Sequence, residues 1–235
     1  MTDVAAVLDR LRAMRNAENV AGMARFGINP EGTLGISVAD LREIARGLGR
    51  DHGLAEALWQ SGIHEARILA VLVDDPKQVD EDQAERWVVD VDSWDVCDQL
   101  CMGLLRKTPF AHAKAKAWCR RKETFVRRAG FALIATLSVH DKKAPDKVFL
   151  AYLPLIRGAA TDERNFVKKA VNWSLRQIGK RNAALNAKAL ALAEGLIAMD
   201  NKTARWIGRN ARRELTSDAV QGRLGTKCAI GRPFD

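Results

Sequence analysis

The chain has 235 residues, 47% of them hydrophobic and 29% charged, enough to bury a core as one large domain or two small ones. No run of about 18 apolar residues occurs, and the opening MTDVAAVLDR carries an acid at once with no apolar stretch behind it, so neither a membrane span nor a signal peptide is expected and the chain reads as cytoplasmic. The formal net charge of +9 is unevenly placed: residues 1–100 carry 10 basic against 19 acidic side chains and residues 101–235 carry 28 against 10, so a polyanion would dock on the later part.

Apolar residues recur at helical spacing from the start, in VAAVLDRLRAM, and runs of period two are hard to find. Ser37 and Asp40 in SVADLREIARGL have capping-box spacing, and stops fall near GLGRDHG and DDPK. In SWDVCDQL, Asp92 or Ser93 can cap a helix on which Trp94 and Asp98 share a face, about one turn apart. Cys97, Cys101, Cys119 and Cys228 are few for this length and are expected as reduced thiols. TPF at 108–110 reads as a cap followed by a first-turn proline. FVRRAGFALI, VFLAYLPLIRG, a stop at GAATDE, FVKKAVNWSL, ALALAEGLIAM and WIGRNARREL complete about a dozen helices with short connections. The expected fold class is all-α.

Three of these segments fall into register: residues 125–134, 166–175 and 206–215, spaced 41 and 40 residues apart. A period near 40 marks HEAT or armadillo-type solenoids, in which each unit buries its apolar face against its neighbours. A single α-solenoid domain over 1–235 is expected, with 217–235 a weakly assigned tail. The first, second and tenth positions of each segment should be core. The fourth is basic each time, Arg128, Lys169 and Arg209, which predicts a cationic stripe along a concave groove suited to duplex nucleic acid.

His52, His64, His112 and His140 are scattered, and Cys97 with Cys101 supplies only two soft ligands, so no metal is expected. No phosphate loop, nucleophile elbow or kinase signature is present, and no cofactor is expected. Two readings of Trp94 and Asp98 remain. If Trp94 is a core residue, Asp98 needs a partner such as Arg128; if the acid faces the groove, a carboxylate beside phosphates needs a reason, and a cationic transition state is one. Trp173 occupies the eighth position of its repeat, where the neighbours carry Ala132 and Arg213; it reads equally as a functional departure or a packing adjustment.

SWDVCD, FVRRAGFALI and NFVKKAVNWSLRQIGKRN together resemble the AlkD-type DNA alkylation repair enzymes, a family of HEAT-like-repeat DNA glycosylases. The resemblance runs from about residue 5 to residue 216 and is most specific around 163–182. It implies that Trp94 and Asp98 are the family's tryptophan–aspartate pair, Arg128 its groove arginine and Trp173 its second tryptophan, with Arg127 and Lys168 as further DNA contacts beside Arg128 and Lys169. Phe26 is the nearest candidate for an aromatic that some members place near the first helices. The implied activity is base excision of cationic alkylated purines, 3-methyladenine and 7-methylguanine, from duplex DNA in the bacterial nucleoid, without base flipping, by a monomer that needs no protein partner. Asp98 would stabilise the oxocarbenium sugar, Trp94 and Trp173 would hold it, and a free base and an abasic site would result. The alternatives are a HEAT-like module that binds DNA without catalysis and a solenoid that binds an acidic protein.

Overall fold

The computed structural model describes residues 3–230, with side chains described to residue 225. Its elements are α1 (Val4–Ala13), α2 (Ala17–Arg25), α3 (Val38–Leu48), α4 (His52–Gln60), α5 (His64–Val73), α6 (Glu81–Asp90), α7 (Trp94–Gln99), a π-helical turn (Leu100–Leu104), a 3-10 turn (Leu105–Lys107), α8 (Ala111–Trp118), α9 (Thr124–His140), α10 (Asp146–Leu150), α11 (Leu153–Ala159), α12 (Asn165–Gly179), α13 (Ala183–Ile197), α14 (Lys202–Leu215) and α15 (Asp218–Ile230). No strand occurs among the described residues, and none of their helices is long and apolar enough to cross a membrane.

Helix ends follow local chemistry. Ser37 Oγ accepts from the Asp40 amide at 3.2 Å, the first half of the capping box expected from the spacing, and donates to the Asp40 carboxyl at 2.7 Å. VFLAYLPLIRG, expected as one helix, is split into α10 and α11, because Pro154 has no N–H to continue α10 and sits instead in the first turn of α11. TPF also corrects its reading: Thr108 Oγ1 donates back to the Leu105 carbonyl at 2.8 Å, closing the preceding 3-10 turn, and α8 begins only at Ala111.

The chain forms two compact units, up to residue 111 and from residue 112. In the first, α5 is the hub against which α3, α4 and α7 pack. Eight of its ten residues are buried, as the nearly continuous apolar run ARILAVLV requires of a helix covered on most sides. Trp59 and Trp87 stack in this core with centroids 4.1 Å apart, and Trp59 Nε1 donates to Asp90.

In the second unit α12 packs against both α9 and α14, so the three repeat segments lie on successive neighbouring helices. Their second positions (Val126, Val167, Ile207) and tenth positions (Ile134, Leu175, Leu215) are buried, as expected. The first positions are not: Phe125 and Phe166 are half-buried and Trp206 is 40% exposed. Phe125 and Phe166 are the second residues of their helices, where the packed surface is only beginning; Trp206 is the fifth residue of α14, after the already buried Thr203 and Ala204. Glu214 ties α14 to α12 through Arg176 and through Lys180 at 2.7 Å. A Cβ on Gly130 would lie 2.5 Å from the Cys119 amide nitrogen, so α9 can approach the end of α8 only through glycine. Cys97, Cys101 and Cys119 are buried, and burial pushes the Cys119 thiol far up; the side chain of Cys228 lies outside the described residues.

Candidate functional site

Trp94 and Asp98 open the helical segment that closes the first unit. Ser93 takes the N-cap position of α7 without a side-chain cap; its Oγ donates instead to Asp95 Oδ1 at 2.7 Å, while Asp95 Oδ2 lies 2.9 Å from His64 Nε2. His64 is only 4% exposed and sits in the first turn of α5. The start of the Trp94 helix is thus anchored to the hub helix. Trp94 is half-buried and donates its indole N–H to the Phe26 carbonyl at 3.1 Å. Asp98, one turn on, is also half-buried. Neither is a closed core residue. Two residues after Asp98 the helix widens into the π turn, a feature frequent where helices carry function.

Beside Trp94 is a groove of about 680 Å³, lined among others by Glu18, Met23, Phe26, Ile28, Ile36 and Trp94. Phe26 is 75% exposed. One wall includes Gly35 and Ile36, in a segment fixed by a carboxyl: Glu65, with 0% exposure, accepts from the amides of Leu34 at 2.7 Å, Gly35 at 2.6 Å and Ile36 at 3.3 Å. Gly35 has φ +82°, and a Cβ there would stand 2.3 Å from the Asn16 carbonyl oxygen. Only glycine fits.

The His64–Asp95 pair favours its charged form. Burial opposes charge on His64, but the hydrogen bond and field of Asp95, with Glu65 and Asp92, outweigh it and raise its pKa above the ordinary 6.5. Burial likewise pushes Asp95 up, and the His64 hydrogen bond and charge, the Ser93 hydroxyl and the Val96 amide bring it below the ordinary 3.8. The raised His64 gives stability that is complete below about pH 6.5 and is lost as pH rises through its folded-state value; the depressed Asp95 gives stability that is lost only as pH falls through its own. Thermal melting should therefore decline as pH rises above about 6.5, and His64→Gln should flatten that decline. A His64→Gln melting curve with the wild-type pH slope would show that the pair carries no charge.

The other six residues expected at the site lie in the second unit, and their exposures differ. Lys169 and Arg209 are exposed, as a cationic stripe requires. Arg128 departs from it: only 5% exposed, it turns inward and donates from Nη1 to the Phe166 carbonyl at 2.8 Å, linking α9 to α12. Arg127 is half-buried, its Nε 3.5 Å from Asp162 Oδ2. Lys168 is half-buried and holds its ammonium 5.6 Å from the centroid of the Trp206 ring. Trp173 is half-buried, with its indole N–H 3.1 Å from the Gln177 side-chain oxygen when that amide is turned to accept it. On α14 a groove of about 830 Å³ is lined by Lys202, Arg205, Trp206, Arg209, Asn210, Arg212 and Arg213.

Sequence reasoning missed His64, Asp95 and Glu65, whose partners are about 30 residues away. The one local sign was HEAR, two ionisable residues opening an otherwise apolar helix.

Residues 7–215 match a family model described as DNA alkylation repair enzyme. The fold matches, at a TM-score of 0.79 and 21% identity over 95% of this chain and 97% of the other, a solved protein from a family related to the HEAT-like repeat DNA glycosylases and described as having affinity for branched DNA structures. A search of curated proteins found no match.

Proposed function

Because the chain belongs to the DNA alkylation repair enzyme family, we propose that it is a monofunctional glycosylase that releases cationic alkylated purines, 3-methyladenine and 7-methylguanine, from duplex DNA. The observation that carries this reading is that Trp94 and Asp98 keep solvent access one turn apart on an anchored helix. An acid retained in reach of solvent in a DNA-repair chain has a use in a reaction that develops positive charge.

Alkylation at N3 of adenine or N7 of guanine makes the base a cation and a ready leaving group, so no protonation is needed. As the N-glycosidic bond lengthens, charge passes to the sugar, and a fixed carboxylate favours that state over the ground state. Asp98 supplies the carboxylate and orients the water that adds to C1′. The base departs with the bonding electrons, which leaves an abasic site. The face of Trp94 favours the developing cation by about 0.5–2 kcal/mol for a good contact. Lys169, Arg209 and Lys168 hold phosphates, and Arg128, bonded to the Phe166 carbonyl, braces α12 from within. With lability of the cationic base setting selectivity, no base pocket is needed, and the protein works as a monomer.

The test is incubation with methylated duplex DNA. Free 7-methylguanine and 3-methyladenine should appear in solution, strand breaks should appear only after alkali, and a duplex carrying a neutral lesion such as hypoxanthine should be left intact. Retardation of the duplex with no base released would favour the second reading, non-catalytic DNA binding, which the branched-DNA affinity described for the fold relative supports.

A further inference from the structure

We propose that Trp206 and the cations around it form a stacking site for an unpaired base of single-stranded DNA. This goes beyond base release, which it neither uses nor requires. The repeat register raises the question. At the first position of the three segments stand Phe125, Phe166 and Trp206. Phe125 and Phe166 cover one another, with ring centroids 5.4 Å apart and planes tilted by 31°. Trp206, the largest of the three, is 40% exposed. An indole left this open in a position that elsewhere pairs rings has no packing explanation.

Its surroundings say what it suits. Lys168 Nζ stands 5.6 Å from the ring centroid, and the groove that contains the indole is lined by Lys202, Arg205, Arg209 and Arg213. Carboxylates meet Arg205 (Asp200, 3.3 Å) and Arg212 (Glu194, 3.4 Å); Lys202, Arg209 and Arg213 are in no ion pair among the described residues. A flat π surface inside a cluster of unneutralised cations is the chemistry that binds single strands, the cations following phosphates and the ring taking a base face. Intact duplex cannot use the ring, because its bases are already stacked on each other. An acidic peptide could use the cations but offers no planar group to the indole.

The experiment is fluorescence anisotropy with an undamaged single-stranded oligonucleotide and with a blunt duplex of equal length, at one fixed salt concentration. It uses the full chain as wild type, Trp206→Ala and Trp206→Phe, with poly-glutamate as competitor. Trp206→Ala should weaken single-strand binding by roughly 10-fold or more and Trp206→Phe by much less, because a phenyl ring still stacks; duplex binding should change less than about twofold, since its cationic contacts remain. Equal loss on both DNAs, no loss on the single strand, or displacement by poly-glutamate that depends on Trp206 would each overturn the proposal. Release of 7-methylguanine measured on the same preparations separates the two readings: no release together with a Trp206-dependent single-strand preference removes the glycosylase and leaves the stacking site.

Discussion

Asp98→Asn should lower single-turnover release of 7-methylguanine by about 100- to 1000-fold, the usual effect of deleting one electrostatic contact to a transition state. The substitution is nearly isosteric, and Asp98 is only half-buried on α7, so the helix should persist while the charge is lost. Binding should move the other way. A carboxylate near DNA phosphates is repulsive, and its removal should leave duplex affinity equal or improved. A salt titration of binding beside the release assay reads both quantities. If the variant releases base at the wild-type rate, the acid is not the group that stabilises the sugar cation. If release and binding fall together, Asp98 is holding structure rather than charge.

Glu65→Gln should cost the first unit about 3 kcal/mol. The carboxyl accepts three consecutive backbone amides, from Leu34, Gly35 and Ile36, at a site with no solvent exposure. Glutamine keeps one acceptor oxygen and turns an NH₂ toward amides that also need an acceptor. Each buried amide left without one costs about 1–3 kcal/mol. At roughly 2–4 °C per kcal/mol for a chain of this size, melting should fall by about 6–12 °C. Gly35→Ala should be no milder, since its Cβ would meet the Asn16 carbonyl at 2.3 Å. Circular dichroism melts of both variants check this, and an unchanged midpoint for Glu65→Gln would mean that water or neighbours already serve these amides. Segment 34–36 also borders the groove beside Trp94, so base release should drop before global unfolding does.

What the sequence disclosed follows from the range of each interaction. The helical class and the repeat were legible because Val126, Val167 and Ile207 keep their registers and are buried in the same way. Trp94 and Asp98 were legible because a spacing of four is a local relation. Arg128 was misread as a surface cation, since nothing near it in the chain names its acceptor, the Phe166 carbonyl 38 residues on. Trp206 was misread as core because periodicity places a residue on a helix face without saying whether a neighbouring element covers it there. Thr108 was misread because its hydroxyl served the turn behind it rather than the helix ahead. Glu65 carries no local mark of its role, and only the fold reveals that a glutamate can be the acceptor for a chain segment 29 to 31 residues earlier.

The widened turn at Leu100–Leu104 acts like a spacer between two gears. One residue more than an α-turn needs shifts the angular phase of the helix by about 100°. Upstream of it, Trp94 and Asp98 keep access to solvent; at its end and just beyond, Leu104 and Leu105 are enclosed. Removing a single residue here would alter neither the charge nor the character of the segment, yet it would swing the indole and the acid a quarter-turn away from their present heading. The orientation of this pair is therefore stored as a count of residues, and a change that composition barely registers could silence it.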